Sequence, residues 1–374
     1  METLVAGAGM LDTAFWASRR VLLTGHTGFK GSWLTLMLRR LDARVAGLAL
    51  PPVDSPNLFD LAAVADGIDH QIGDITSLPA VEQMFARHRP ELVLHLAAQS
   101  LVQESYRDPV ATYLTNVIGT VHVLDAARRA DSVRAVVVVS SDKCYENREW
   151  VWAYRETDRL GGHDPYSNSK SCAELVTDSY RRSFFDPARY PEHRVAIASV
   201  RAGNVIGGGD WAADRLVPDA VRAFGTGAAL VIRNPSAVRP WQHVVDPLVG
   251  YLMLAERLVT DGPQFGGGWN FGPEDGGNAS VERLVGMLTA AWGGSAEWRP
   301  AAKAAAPEAM ALRLDSAKAR ALLGWRPLLP LDDAIRLTVE WYRGWQDGAD
   351  PRRLTDRQLD AVLNAAADRG GEAG

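Results

Sequence analysis

The chain has 374 residues, a formal net charge of −5 and 47% hydrophobic residues. This length and composition allow one large or two medium domains with a sizeable core. The slight acidity argues against a nucleic-acid partner, because phosphate backbones need basic patches. No apolar run reaches the ~20 residues of a membrane span, and the N-terminus lacks the pattern of a signal peptide. The two cysteines, Cys144 and Cys172, lack metal-ligand spacing, so we expect a cytoplasmic protein without a metal site.

Apolar segments typical of buried parallel strands alternate with amphipathic helical segments between residues 20 and 200, after an N-terminal extension at 1–15. Strands are predicted at 20–24, 45–50, 70–74, 92–97, 135–140 and 195–200, and helices at 32–41, 79–88, 113–130 and 166–184. This alternation predicts an α/β fold with a doubly wound parallel sheet covered by helices on both faces.

A glycine-rich turn follows the first strand, at Gly25-His26-Thr27-Gly28-Phe29-Lys30-Gly31. Gly25 permits a tight turn, Gly28 lets backbone N–H groups approach a pyrophosphate, and Gly31 lets the next helix pack closely on the strand. Because a strand precedes the turn and a helix follows it, a dinucleotide site is favoured over a plain turn.

The ends of the later strands supply further candidate cofactor contacts. Asp74 lies where a carboxylate could reach the adenine amine, and the loop from Ala98 would lie beneath the nicotinamide half. The second strand ends without an acidic residue for the ribose and without an arginine for a 2′-phosphate, so NAD is favoured only by default. The predicted cofactor-binding residues are Gly25, Thr27, Gly28, Phe29, Lys30, Gly31, Asp74, Ile75, Ala97, Ala98, Gln99, Asn116, Tyr166 and Lys170.

The fifth strand ends in Ser140-Ser141-Asp142-Lys143, and Tyr166 and Lys170 follow at a spacing of four. Residues four apart share a helix face, and a lysine beside a phenol lowers the phenol's pKa towards that of a useful base. Ser141 could hydrogen-bond the same alcohol. The pattern indicates hydride transfer between a sugar carbinol and a nicotinamide, although a Tyr–Lys pair alone would more often be a surface pair.

The second half of the chain is rich in arginines near glycine and tryptophan, as in a loop over a site. Arginines bind diphosphates in a bidentate manner, although most arginines are simply solvated. The predicted substrate-binding residues are Ser100, Asn204, Arg215, Arg233 and Arg239.

The chain resembles the extended short-chain dehydrogenases/reductases that act on nucleotide sugars, and within them the CDP-glucose 4,6-dehydratases. The resemblance runs from about residue 15 to residue 345. The superfamily motifs are the glycine turn and YSNSK (166–170), and the longer specific runs are SSDKCYENREW (140–150), RAGNVIGGGDWAADRL (201–216) and RNPSAVRPWQHV (233–244).

The resemblance implies a Rossmann-type NAD domain at 16–200 and about 225–265, and a smaller, mostly C-terminal nucleotide-sugar domain at about 201–224 and 266–346. A tail at 347–374 would follow. It also implies pairing through two helices per subunit, as a homodimer or dimer of dimers, with no membrane or nucleic-acid partner. CDP-glucose or a related nucleotide sugar would bind in the cleft between the domains.

The same resemblance implies the roles of the predicted catalytic residues. Tyr166 would take the C4 hydroxyl proton, Lys170 would lower the pKa of Tyr166, and Ser141 would hold the C4 oxygen. Asp142 would be the acid for loss of water from C6. Lys143 would be either the C5 base or a cation that stabilises the enolate, and the sequence leaves both open because a neighbouring carboxylate opposes lysine deprotonation.

Three alternatives remain at this stage. A nucleotide-sugar 4-epimerase or reductase would share Ser141, Tyr166 and Lys170 but has no need for Asp142 and Lys143. A dehydratase could act on another nucleotide sugar, and an NAD-binding scaffold would need none of these groups.

His26 and Lys30 also stand out in the glycine turn, where Lys30 would either contact a phosphate or crowd the cofactor.

Overall fold

The computed structural model describes residues 10–302 and 311–368. Its strands are β1 (Arg20–Thr24), β2 (Arg44–Ala49), β3 (Asp69–Ile72), β4 (Leu92–His95), β5 (Ala135–Val139), β6 (Ala196–Ala202), β7 (Asn204–Ile206), β8 (Leu230–Ile232), β9 (Val238–His243), β10 (Gly267–Phe271), β11 (Asn278–Ser280) and β12 (Trp298–Pro300).

The α-helices alternate with these strands over most of the chain. They are α1 (Thr13–Trp16), α2 (Phe29–Arg40), α3 (Leu58–Leu61), α4 (Leu78–His88), α5 (Val102–Arg107), α6 (Pro109–Tyr113), α7 (Gly119–Arg129), α8 (Pro165–Ser183), α9 (Tyr190–His193), α10 (Leu216–Gly225), α11 (Val245–Thr260), α12 (Val281–Trp292), α13 (Leu331–Gln346) and α14 (Pro351–Asp368). None of the described helices is long and apolar enough to cross a membrane.

Seven strands form one parallel sheet in the order β10-β6-β5-β4-β1-β2-β3. The predicted doubly wound α/β fold is therefore confirmed, with the topological switch between β1 and β4. One hydrophobic cluster covers one face of the sheet and a smaller one covers the other. The central strands are buried on both faces, which explains their nearly continuous runs of valine and leucine.

Two predicted helices differ from the structure at their starts. The helix predicted at 113–130 begins at Pro109, where Asp108 caps it, and contains a π-turn at Leu114–Ile118 between α6 and α7. Helix α2 begins at Phe29 instead of residue 32, because its first turn is built from the glycine loop itself. The other predicted strands and helices match the structure within a few residues.

Three further regions bear on the predicted domain boundaries. Gly267–Phe271, expected in the smaller domain, pairs with β6 and completes the large sheet. Leu11 of the predicted extension is buried in the core, as is the adjoining Trp16, and α14 of the predicted tail packs against α2 and α3. Parts of the predicted extension, smaller domain and tail, at residues 1–9, 303–310 and 369–374, lie outside the described residues. The division into two domains stays a prediction.

Candidate active site

The candidate site lies at the carboxyl ends of β1, β4 and β5, where parallel sheets of this class bind ligands. Gly25 has a φ of +80°, and a Cβ there would lie 2.7 Å from the backbone nitrogen of Ala97. A Cβ on Gly31 would collide with the carbonyl oxygen of Gly25. Gly28 is the N-cap of α2, so the free N–H groups of the first helical turn face the loop. A loop of this shape suits the pyrophosphate of a dinucleotide.

The two unusual side chains of the glycine turn point in different directions. His26 places its Nε2 3.1 Å from Nδ1 of His70, on the β2–β3 side of the sheet. Burial, and then the proximity of His70, lower the pKa of His26 to about 4. Lys30 instead faces Asp142 and Lys170. Burial and the Arg215 guanidinium lower the pKa of Lys30 to about 8, while Asp142 opposes this.

The other predicted cofactor residues line the same edge of the sheet. Thr27 donates to the carbonyl of Leu50 at 2.8 Å, and the Phe29 ring lies beside Gly207. The Asp74 carboxylate accepts from the backbone of Thr76 at 2.8 Å.

Asn116 holds the loop after β4 against α8. Its side-chain oxygen accepts from the backbone N–H of Gln99 at 2.8 Å, and its amide donates to Ser169 at 2.8 Å. The Ala97 N–H donates to Thr24 at 3.2 Å, which fixes the start of the loop containing Ala98. Ile75 is buried and would meet any side chain added at Gly119.

The five predicted catalytic residues come together around the end of β5. The Ser141 hydroxyl donates to the Asp142 carboxylate at 3.0 Å, and Nζ of Lys143 lies 5.7 Å from the centroid of the Tyr166 ring. Nζ of Lys170 donates to the carbonyl of Val139, the last residue of β5, at 3.2 Å. Helix α8 thus presents Tyr166 and Lys170 to the loop that follows β5.

Burial shifts the pKa values of Tyr166, Lys170 and Asp142 in the direction that favours their neutral forms. Burial raises the pKa of Tyr166 to about 12, opposed by a hydrogen bond with Ser141 and by Arg215. It lowers the pKa of Lys170 to about 8, opposed first by Glu174. It raises the pKa of Asp142, although Lys143, Ser141, Arg239 and Lys30 all favour the carboxylate.

The predicted substrate residues divide into two groups. Arg215 donates to Asp210 at 3.0 Å and to Ser100 at 3.1 Å, and Arg239 lies close enough to Asp142 to favour its charged form. By contrast, Arg233 is half-exposed on the surface and lies 3.6 Å from Asp214. Asn204 lies in β7, in register with Trp241 of β9.

Several buried polar residues next to this cluster were missed by the sequence analysis. Glu174 and Arg201 form an ion pair behind Lys170, and Tyr145 bonds to Arg201. The Tyr251 hydroxyl is buried near Asp142. The sequence could have indicated Glu174, because it lies four residues after Lys170 and therefore shares its helix face.

Comparison with known proteins identifies the family of the chain. Residues 21–266 match the model of the NAD dependent epimerase/dehydratase family. The chain is 48% identical to CDP-glucose 4,6-dehydratase of Salmonella typhimurium over 95% of this chain and 99% of that protein. It is 30% identical to dTDP-glucose 4,6-dehydratase of Streptomyces griseus over 88% of this chain and 97% of that protein.

Among solved structures, the chain is similar to UDP-glucose 4-epimerase of Thermus thermophilus in complex with NAD. The TM-score is 0.74 and the identity 26%, covering 87% of this chain and 99% of that one. The chain belongs to the NAD dependent epimerase/dehydratase family.

Proposed function

We propose that this protein is an NAD-dependent CDP-glucose 4,6-dehydratase that converts CDP-glucose to CDP-4-keto-6-deoxyglucose. One observation supports this most directly. Asp142 and Lys143 share a single cluster with Ser141, Tyr166 and Lys170, in a chain 48% identical to a CDP-glucose 4,6-dehydratase. An oxidation alone needs only the last three of these residues, whereas loss of water also needs an acid and a base.

The glycine turn fits NAD, because its tight backbone leaves room for a pyrophosphate at the N-terminus of α2. Bound NAD would supply reversible hydride transfer. Tyr166 then takes the proton of the sugar C4 hydroxyl, and Ser141 holds the C4 oxygen. Since burial raises the pKa of Tyr166 to about 12, this step depends on the groups that oppose burial, which are the hydrogen bond with Ser141 and the charge of Arg215.

Asp142 is the proposed acid for departure of the C6 hydroxyl as water. Burial raises its pKa, and a neutral carboxylic acid can donate a proton. The 4-ketone makes the C5 proton acidic, and Lys143 either removes it or stabilises the resulting enolate. The Lys143 charge counteracts the effect of burial on the pKa of Asp142, and a positive charge at this position suits stabilisation of the enolate. Both roles keep Lys143 next to C5.

Arg215 and Arg239 are the proposed contacts to the substrate diphosphate, with Ser100 held by Arg215. Their guanidinium groups lie beside the catalytic cluster and match phosphate oxygens. Arg233 and Asn204 remain weaker proposals, because Arg233 is half-exposed beside Asp214.

We also propose a cytoplasmic homodimer. Helix α6, the π-turn after it and α8 pack side by side and leave Val110, Leu114, Ile118 and Leu175 exposed. Exposed apolar side chains on neighbouring helices suit a second copy of the chain. The free thiols of Cys144 and Cys172 suit a reducing compartment. Light scattering on Ile118→Glu should give a monomer where the unaltered protein gives a dimer.

The function is tested by incubating purified protein with NAD and CDP-, dTDP-, UDP- or GDP-glucose and analysing products by mass spectrometry. We expect loss of one water from CDP-glucose only. Loss of water from another nucleotide sugar only would move the substrate while keeping the reaction. A changed sugar configuration or net NADH formation without loss of water would support a 4-epimerase or reductase instead.

A further inference from the structure

A buried ion pair lies directly behind the catalytic cluster. The side chains of Arg201 in β6 and Glu174 in α8 are only 5% and 3% exposed. Arg201 donates two parallel hydrogen bonds to the Glu174 carboxylate, from Nε to Oε1 at 2.9 Å and from Nη2 to Oε2 at 2.8 Å. Ser199 donates to the same carboxylate at 2.5 Å. Such a bidentate pair fixes the orientation of both side chains.

The ion pair lies close to the catalytic lysine, because Glu174 and Lys170 both belong to α8. Glu174 lies one helical turn after Lys170, and its negative charge is the largest influence that opposes the effect of burial on the Lys170 ammonium. The other groups that interact with Lys170 come from different elements: Cys144 from the loop after β5, His95 from β4 and Lys30 from α2. His95 is held neutral by burial. Glu174 is therefore the negatively charged residue that favours the protonated form of Lys170.

Arg201 also contacts the loop after β5 that carries Asp142 and Lys143, through Tyr145. Its Nη1 donates to the Tyr145 hydroxyl at 2.7 Å and to the carbonyl of Glu156 at 3.1 Å. Tyr145, three residues after Asp142, in turn donates to Asn270 of β10 at 2.8 Å. Asn270 is further held by the carbonyls of Tyr154 and Asp315. The loop carrying Asp142 and Lys143 is thus tied to the edge of the sheet.

We infer that Glu174 and Arg201 are positioning residues for the reaction, with Glu174 keeping Lys170 charged and Arg201 holding the Asp142–Lys143 loop in place. The inference rests on the proposed function for its catalytic meaning. Its electrostatic part concerns the protein alone and is measured without substrate. Neither residue is proposed to contact the reacting atoms, since Glu174 acts through Lys170 and Arg201 acts through Tyr145.

The direct test is the titration of Lys170 by NMR in protein labelled with 13C at the lysine Cε, with Lys170→Met identifying the signal. In Glu174→Gln we expect the titration midpoint of Lys170 to fall by roughly one pH unit from that of the unaltered protein, because an adjacent negative charge is lost. The alkaline limb of kcat/KM should move to lower pH by the same amount, and kcat should fall while KM changes little.

Two controls separate charge from packing. Ser199→Ala removes a hydrogen bond to the same carboxylate but keeps its charge, so the Lys170 midpoint should not move. Glu174→Gln leaves Arg201 buried without its anion, which endangers folding. Glu174→Gln/Arg201→Gln replaces both charges by amides, and the Lys170 midpoint should fall in that protein as well.

An unchanged Lys170 midpoint in the folded double variant would overturn the inference, as would an equal shift in Ser199→Ala. If none of the nucleotide sugars loses water, the proposed function fails, yet the NMR titration still decides whether Glu174 controls Lys170.

The role of Arg201 in holding the loop is tested by Tyr145→Phe, which should lower kcat at least tenfold with the Lys170 midpoint unchanged. Full activity of Tyr145→Phe would reject the role of Arg201 in holding the loop.

Discussion

At the scale of single residues, burial determines what each group of the site can do near neutral pH. A buried phenol resists ionisation and a buried amine resists protonation, and both effects act here on Tyr166 and Lys170. A hydrogen bond with Ser141 and the charge of Arg215 counteract the effect of burial on the pKa of the phenol, and Lys143 lies over its ring. The site is therefore a set of mutually dependent charges, and replacing one of them should alter the chemistry more than the fold.

Tyr166→Phe tests the proposed base. The phenylalanine ring fills the same space but removes the hydroxyl, so kcat should fall about 100-fold or more, as expected for loss of general acid–base catalysis. The melting temperature and the NAD affinity should stay close to those of the unaltered protein. Undiminished turnover by this variant would exclude Tyr166 as the base.

Asp142→Asn tests the proposed acid. The amide cannot supply the proton for the departing C6 hydroxyl, whereas the oxidation at C4 does not need it. Addition of CDP-glucose should therefore produce a persistent NADH absorbance near 340 nm with little loss of water. Asp178→Asn is a matched control, because that carboxylate pairs with Arg181 on the surface and should leave turnover unchanged. Normal dehydration by Asp142→Asn would assign the acid to another residue.

At the scale of secondary-structure elements, α14 is part of the folded core. Leu354, Leu359 and Val362 are buried, Arg40 of α2 pairs with Asp360, and the backbone of Met10 donates to the carbonyl of Ala366. The helix therefore joins the N-terminal segment to the outer face of α2. We expect its packing to stabilise the helix that starts at the glycine turn.

Leu359→Ala measures this packing. The side chain is fully buried, so the free energy of unfolding should fall by about 2–5 kcal/mol through lost burial and a residual cavity. Leu322→Ala is the control, since Leu322 is 56% exposed and surface changes cost about 0.5 kcal/mol or less. Urea unfolding followed by circular dichroism compares the two. Equal stability of both variants would show that α14 contributes little.

At the scale of the whole molecule, three buried histidines make stability dependent on pH. Burial lowers the pKa of His26 to about 4 and the pKa values of His95 and His243 to about 3. Their ordinary value is 6.5. Between pH 6.5 and these values the unfolded chain binds more protons than the folded one, so stability falls as the pH falls.

The expected loss is on the order of 2 kcal/mol at pH 5 for a fully buried histidine such as His95. His95 lies between Thr24 and Thr120 at 2.7 and 3.0 Å, and His95→Gln keeps a polar side chain there without a titrating group. Melting temperatures from pH 7 to pH 5 should therefore fall less steeply in His95→Gln than in the unaltered protein. Parallel curves would show that His95 does not contribute to the acid sensitivity.

The sequence alone determined those features that depend on neighbouring residues. The strand–turn–helix around Gly25, the alternation that produced the parallel sheet, and the spacing of Tyr166 and Lys170 all follow from local backbone and side-chain periodicity. The position of Ser141 and Asp142 beside the glycine turn was predictable because the carboxyl ends of parallel strands meet at one edge of the sheet.

Only the tertiary structure decided the features that join distant segments. The pairing of β10 with β6, the docking of α14 on α2 and the bond from Arg201 to Glu174 each unite residues far apart in sequence. No local pattern records which partner a buried charge or an apolar face will meet. Which groups of the site are buried, and therefore which pKa values are shifted, is decided there as well, because burial depends on the packing of the whole chain.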